Sequence, residues 1–285
     1  MEYITLNNGI RMPAVGFGVF RITDMKECEE LVLKAIEAGY RHIDTASAYG
    51  NEEAVGRAIK RSGIPRKEFF ITTKLWITDT NYERAKIGFQ NSLNRLGLDY
   101  IDLYLIHQPY NDYYGAWRAL EELYANGKVR AIGVDNFTQE RLADFIMFNK
   151  IKPAINLIEV NPFHQRHEDL TYMQDKEIQM EAWSPLAAGK ENLFDNETLI
   201  KLSQKYTKSI AQIVLRWLFQ RKIISITKTS NFGRMKENID IFDFVISNED
   251  MELISKLDTK QSCFPPRIKG KDVEEFLKEA KKIKY

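Results

Sequence analysis

Cysteine is scarce. Two in 285 residues, Cys28 and Cys263, exclude a disulfide-stapled scaffold, and no Cys/His cluster has metal-ligand spacing, so no metal is expected. An excess of either charge is missing too: 41 Lys+Arg face 40 Asp+Glu, for a formal +1. Such a chain has no global field for holding a polyanion, which sets nucleic-acid binding aside as a main role and leaves room only for a local basic pocket. No apolar run reaches the ~18 residues of a membrane span, and residues 1–11 are polar and strand-like rather than a signal peptide. The expectation is a cytoplasmic protein without a membrane partner. At 44% hydrophobic and 28% charged the chain is too apolar for disorder and has enough for a sizeable core.

What is present is an alternation. Apolar, β-branched runs at 14–20, 42–46, 69–75, 101–106, 131–134, 155–160, 178–183 and 223–226 predict strands. They are continuous rather than period-two, as parallel strands buried on both faces require. Amphipathic stretches at 25–38, 52–62, 82–96, 114–126 and 139–148 predict helices between them. Gly39, Gly63, Gly97 and Gly127 stand just past helix ends, and Thr80 or Asn81 and Thr138 suit N-caps. Cys28 shares an apolar helical stripe with Leu31, Val32 and Ala35 and reads as core. Asn8-Gly9 predicts a hairpin turn able to close one end of a barrel.

Eight strand candidates in 285 residues is about one per 36, close to the unit of a (β/α)8 TIM barrel. No linker splits the chain. The reading is α/β, a single barrel domain over 1–285 with an N-terminal β-hairpin. Extra C-terminal helices follow: 197–206 and 210–220 before the last strand, 248–257 after it, then a tail from about 259 to 285 whose charge run reads as a solvated helix face.

In such a barrel the active site lies at the C-terminal ends of the strands. Asp44, Lys74 and His107 fall there, with Tyr49 in the loop after the second strand. Each has a plain alternative: a turn cap, a half-buried aromatic, a snorkelling lysine, a core histidine. Four on neighbouring strands of one rim make a proton-transfer device. A free phenol has a pKa of about 10, and an adjacent ammonium is expected to lower it. Asp44 can keep Lys74 charged, and His107 can orient an oxygen that gains negative charge, as in carbonyl reduction.

These residues lie in longer strings: GYRHIDTASAYGNEEAVGRAI (39–59), ITTKLW (71–76), LYLIHQP (103–109), AIGVDNF (131–137) and AWSPLA (182–187). The sequence resembles the aldo-keto reductases, most closely the prokaryotic branch that includes the diketogluconate reductases, to about Asp258. The resemblance implies a barrel, usually monomeric, that reduces aldehydes or ketones with NADPH. It puts the family's catalytic tetrad on Asp44, Tyr49, Lys74 and His107, with Tyr49 as proton donor.

No Rossmann fingerprint is present, since Gly16-Phe17-Gly18 lacks the third glycine and the helix. The resemblance instead places the adenosine phosphate on Lys228, Thr229, Arg234, Glu237 and Asn238. Two cations there suit a 2′-phosphate and favour NADPH over NADH. It also puts Trp183 under the nicotinamide ring, Ser184 and Leu186 beside the pyrophosphate, and Asn136 and Glu159 near the ring. Three departures stand out. Thr227 replaces a common proline, which is expected to loosen its loop. Asp135 replaces a serine and Leu157 a glutamine that hydrogen-bond the nicotinamide carboxamide; either Asp135 accepts from that amide and partly replaces the glutamine, or the two changes are drift that weakens cofactor affinity.

Phe20, Trp76 and Gln108 are expected to line the substrate pocket with Tyr49 and His107, and Phe264, Pro265 and Pro266 come from the tail. A small aldehyde, α-keto ester, dicarbonyl or sugar-derived ketone fits, and the sequence selects none. Two rivals stay open: a barrel enzyme using Lys74 as Schiff-base nucleophile, which needs a depressed lysine pKa, and a nucleotide-sensing protein without turnover.

Overall fold

The computed structural model describes residues 1–265, 269–283 and 285, so Pro266 and Lys284 of the expected tail lie outside the described residues. Strands β1 (Tyr3–Thr5) and β2 (Arg11–Pro13) form the hairpin, with Ile4 opposite Met12. Gly9 takes φ +83° at its turn, a conformation open to glycine at no steric cost. The amides of Asn7 and Asn8 donate to the carbonyls of Pro153 and Arg130, both at 3.0 Å, fastening the hairpin to the barrel floor.

Strands β3 (Val15–Gly18), β4 (His42–Asp44), β5 (Phe70–Leu75), β6 (Ile101–Ile106), β7 (Val129–Asp135), β8 (Ile155–Glu159), β9 (Gln179–Trp183) and β10 (Ile224–Thr227) close a barrel. All its pairs are parallel, and β10 meets β3 with Ile226 opposite Gly16. Alternation sorts the side chains. Ile71, Ile132, Val134 and Ile158 face the helices, whereas Phe70, Leu103, Leu105, Ala131, Ile155, Leu157 and Ile224 fill the interior with Leu6 and Met12 of the hairpin as plug. Gly16 is required by close approach: a Cβ there would lie 2.4 Å from His42 Nδ1.

The outer ring holds α1 (Met25–Ala38), α2 (Glu52–Arg61), α3 (Tyr82–Leu96), α4 (Tyr113–Ala125), α5 (Gln139–Phe148), α6 (His167–Asp175), α7 (Glu197–Tyr206) and α8 (Ile210–Gln220), followed by α9 (Phe232–Ile239), α10 (Asn248–Ser255) and α11 (Gly270–Ala280). Asn81 caps α3 by accepting from Arg84 N, and the four expected helix-end glycines all have positive φ. Helix α6 was not anticipated; only Met173 of it is buried, so its apolar stripe is faint. Cys28 is buried in the core, which pushes its thiol up to about 12. Among the described residues no helix is long and apolar enough to cross a membrane.

The tail departs from expectation. The charged side of α11 is solvated, but Phe276, Leu277 and Ala280 pack against Trp76, Ile77 and Tyr110 at the barrel mouth. Trp76 Nε1 donates to Ala280 O at 2.9 Å, and the Tyr285 hydroxyl donates to Asp79 Oδ2 at 2.6 Å. A helix with so few apolar residues reads as solvated until its partner surface is known.

Candidate active site

Asp44 ends β4, Lys74 lies on the inner face of β5, and His107 follows β6, its amide donating to Leu75 O at 3.1 Å. Tyr49 closes a single 3-10 turn, Ser47–Tyr49. That turn is held by side chains: Ser47 Oγ donates to Lys74 O at 2.9 Å, and the Asn51 amide donates to Val19 O and Ile22 O, both at 3.0 Å. The structure therefore brings all four expected residues to one rim. Lys74 Nζ donates to both Asp44 oxygens (2.7 and 2.6 Å) and to Thr45 O at 3.0 Å, and stands 3.5 Å from the Tyr49 hydroxyl. The Tyr49 and Trp76 rings meet the His107 ring edge-on, with centroids 5.5 and 5.0 Å away.

Burial works to lower the Lys74 pKa, but Asp44, Tyr49 and Asp135 outweigh it and hold the ammonium above its usual value. A lysine so held is a poor Schiff-base nucleophile, against that rival. Tyr49 corrects an expectation: its pKa is raised, not lowered. Burial is the main cause, Lys74 opposes it, and Asp44 and Asp135 add to it. The phenol thus keeps its proton at neutral pH, and the ammonium beside it favours the phenolate only once a proton has gone.

Phe20 is 53% exposed at the rim, its ring 5.0 Å from that of Tyr49. Trp76 and Gln108 are buried beside His107. Asp135 Oδ2 lies 3.8 Å from His107 Nε2, so this carboxylate neighbours the histidine of the rim as well as the expected ring site. Asn136, at φ +63°, donates to His107 O at 3.3 Å and accepts from Trp183 Nε1 at 3.0 Å. Leu157 is buried in the apolar interior.

After β9 the backbone is left-handed at Ser184, Ala187, Ala188, Glu191 and Asn192, none of them glycine. Such runs cost energy and gather at ligand-holding loops. Glu159, opposite Trp183 in the β8–β9 register, also binds the tail. It accepts from Ser262 Oγ at 2.5 Å, Cys263 N at 2.9 Å and Asn161 Nδ2 at 3.1 Å, which holds Phe264 against Trp183 at 5.1 Å between ring centroids.

On the far side of the rim, Lys228, Thr229 and Ser230 share a cavity of about 140 Å³ with Arg21, which sequence reading missed. Arg21, at φ +63°, follows Phe20 at the first strand's mouth; its signal was a cation at a strand's C-terminal end. Two cations and two hydroxyls line this cavity together with one carboxylate, Glu27, a set whose cations outnumber its anion and can take a phosphate. Arg234 and Glu237 are exposed on α9, and Asn238 is buried behind them. Thr227 is tied into the barrel at its strand's end: its hydroxyl lies 3.1 Å from the Tyr40 hydroxyl and donates to Gly16 O at 3.3 Å. A larger cavity of about 570 Å³ opens beside the hairpin, away from every residue of this site.

A model of the aldo/keto reductase family matches residues 14–259. The glyoxal reductase of Bacillus subtilis is 47% identical over 265 residues, 93% of this chain and 95% of that protein. Among solved structures, an aldo-keto reductase from a deep-sea metagenome library superposes with a TM-score of 0.90 at 44% identity, covering 93% of this chain and 97% of the other. A Bombyx mori aldo-keto reductase in complex with NADP superposes at 0.88 with 35% identity, over 93% and 95%.

Proposed function

The chain belongs to the aldo/keto reductase family as an NADP-dependent oxidoreductase of carbonyl groups, and from that premise we propose that Tyr49 is the proton donor for small aldehydes and 1,2-dicarbonyls, acting as a monomer. Bound NADPH supplies the hydride, which none of these side chains can. The observation that carries the reading is the Asp44–Lys74–Tyr49 chain, with both Asp44 oxygens on the ammonium and the phenol 3.5 Å beyond it.

His107, braced between the rings of Tyr49 and Trp76, hydrogen-bonds the carbonyl oxygen and aims it at the Tyr49 hydroxyl. Tyr49 gives its proton to that oxygen as negative charge grows there, and Lys74 stabilises the phenolate left behind. Trp183 would offer its indole face to the nicotinamide. Arg21, Lys228 and Thr229 would hold phosphate, with Arg234 exposed on α9 as a further cation. Phe20, Trp76 and Gln108 form the substrate wall, narrowed by α11 to favour small carbonyls. The name of the Bacillus relative supports the dicarbonyl class. Asp135 takes up part of the carboxamide contact that Leu157 cannot make; cofactor dissociation constants unchanged in both Asp135→Ser and Leu157→Gln would sink that point.

The test is cofactor oxidation, followed by the absorbance of reduced nicotinamide, across a panel of aldehydes and dicarbonyls. Tyr49→Phe should lose about 10²–10⁴-fold in turnover while NADPH still quenches tryptophan fluorescence. NADPH binding without turnover by the wild type would favour the sensing role instead.

A further inference from the structure

Two residues before Trp183, on the same inward face of β9, lies Glu181. Its register neighbours are Leu157 on β8 and Ile224 on β10, both apolar members of the barrel interior. The residue is fully buried, and neither carboxyl oxygen has a hydrogen-bond partner among the described residues. His42 Nε2 is 3.9 Å from Oε1, out of hydrogen-bond reach, and lies closer to Thr72 Oγ1 at 3.1 Å.

An ionised carboxylate so placed would be desolvated with no donor in return. Burial first, then the charge of Asp44, then that of Asp135 hold this carboxyl well above the usual range, with Lys74 opposing. His42 does not take the proton, because burial and Lys74 push its imidazole down to about 3. The groups around Glu181 are thus His42 and Asp44 from β4, Lys74 from β5 and Asp135 from β7, while β8 and β10 contribute nothing titratable at its level. Glu181 is an unpartnered buried carboxyl whose proton is held by its surroundings, within the field of Asp44 and Lys74, a role the catalytic reading does not use.

Trp183 is the proposed nicotinamide platform, and the inference rests on that reading. Two residues along a strand span about 6.6 Å, so a ring held on Trp183 would stand one side-chain layer above the Glu181 carboxyl. The reduced ring is neutral and the oxidised ring cationic. We infer that Glu181 gives up its proton when the oxidised, cationic nicotinamide is seated on Trp183, so that this protein binds NADP⁺ with proton release and increasingly better than NADPH as pH rises. The step is a plain ionisation: the O–H bond breaks heterolytically, the carboxylate stays as the counter-ion of the ring, and the proton goes to buffer. Nothing is oxidised or reduced. Release of the oxidised cofactor then slows toward alkaline pH.

The experiment measures dissociation constants of NADPH and NADP⁺ by tryptophan quenching from about pH 6 to about pH 9, with protons released counted by titration calorimetry in buffers of different ionisation enthalpy. The ratio Kd(NADPH)/Kd(NADP⁺) cancels the phosphate ionisations common to both. In the wild type it should rise about tenfold across that range, with more protons released on binding NADP⁺ than on binding NADPH. In Glu181→Gln, or in Glu181→Leu should the first variant not fold, it should stay flat. A flat ratio in the wild type, or an equal rise in the variants, overturns the inference. If the wild type binds both cofactors and reduces carbonyls with a flat ratio, this inference alone falls; if neither cofactor binds, the functional reading falls with it.

Discussion

Asp102 and Glu181 are both carboxyl residues at 0% exposure on strands of one barrel, and their surroundings differ completely. Asp102, near the start of β6, accepts from Arg66 Nη2 at 2.5 Å, Arg130 Nη1 at 2.6 Å and Ile71 N at 2.9 Å. Glu181 accepts from nothing among the described residues. The first stitches the barrel floor. The second lies just below the site, where an unpaired acid costs stability and stays responsive to charge. Burial alone therefore does not say what a buried acid is for; its donors do.

The largest effect expected on this contrast comes from turning Asp44 into a second Glu181. Lys74→Met strips a 4%-exposed carboxylate of its cation and should cost about 3–5 kcal/mol in urea unfolding at neutral pH. The loss should shrink in acid, as Asp44 takes a proton. Turnover should fall with it. Removing Asp102 is the milder case. Asp102→Ala leaves two arginines without their anion, but the Arg130 side chain is 41% exposed and water recovers it, so about 3 kcal/mol is expected. A loss below about 1 kcal/mol would erase the distinction between the two acids.

Glu181 should respond in the opposite sense. A carboxyl whose folded pKa is raised contributes fully below its usual 4.5 and loses that contribution as pH climbs. Glu181→Gln should therefore gain melting temperature over the wild type progressively as pH rises above that value. His42 mirrors it. Its pKa, lowered from 6.5 to about 3, gives stability that is present above 6.5 and lost as pH falls toward 3. His42 and Glu181 thus oppose each other between their usual values, and a melting temperature of Glu181→Gln that tracks the wild type at every pH would show the acid to be ordinary. The smallest effect tests a neutral group by the same rule: Thr227→Val, which unpairs the Tyr40 hydroxyl, should cost about 1 kcal/mol in thermal unfolding.

Sequence reading located the barrel because its strands are apolar on both faces and its helix ends carry glycine. It located Asp44, Tyr49, Lys74 and His107 because polar residues at the C-terminal ends of strands have few structural reasons to recur on neighbouring strands. Glu181 was hidden inside an apolar run. The pattern Gln179, Glu181, Trp183 against Met180 and Ala182 was its signal, since the outer face of a barrel strand is covered by helices and a polar residue on alternate positions points inward. The role of Glu159 could not be read, because its partners Ser262 and Cys263 are about a hundred residues away and bind it only once the tail has folded back. The charge run of α11 concealed its docking face for the same reason. Tyr49's pKa was misjudged because sequence supplies the neighbouring cation but not the burial that outweighs it.

The pairing of β10 with β3 also bears on how the molecule is made. Thr227 reaches back to Gly16 across 211 positions of chain, so the sheet cannot become continuous until most of the polypeptide has left the ribosome. Contacts of such separation are formed late and slowly. Lys228 and Thr229, just after β10, thus arrive after Asp44 and Lys74 on β4 and β5 are already emerging. A nascent chain carries half of this rim, and the rim is complete only at ring closure.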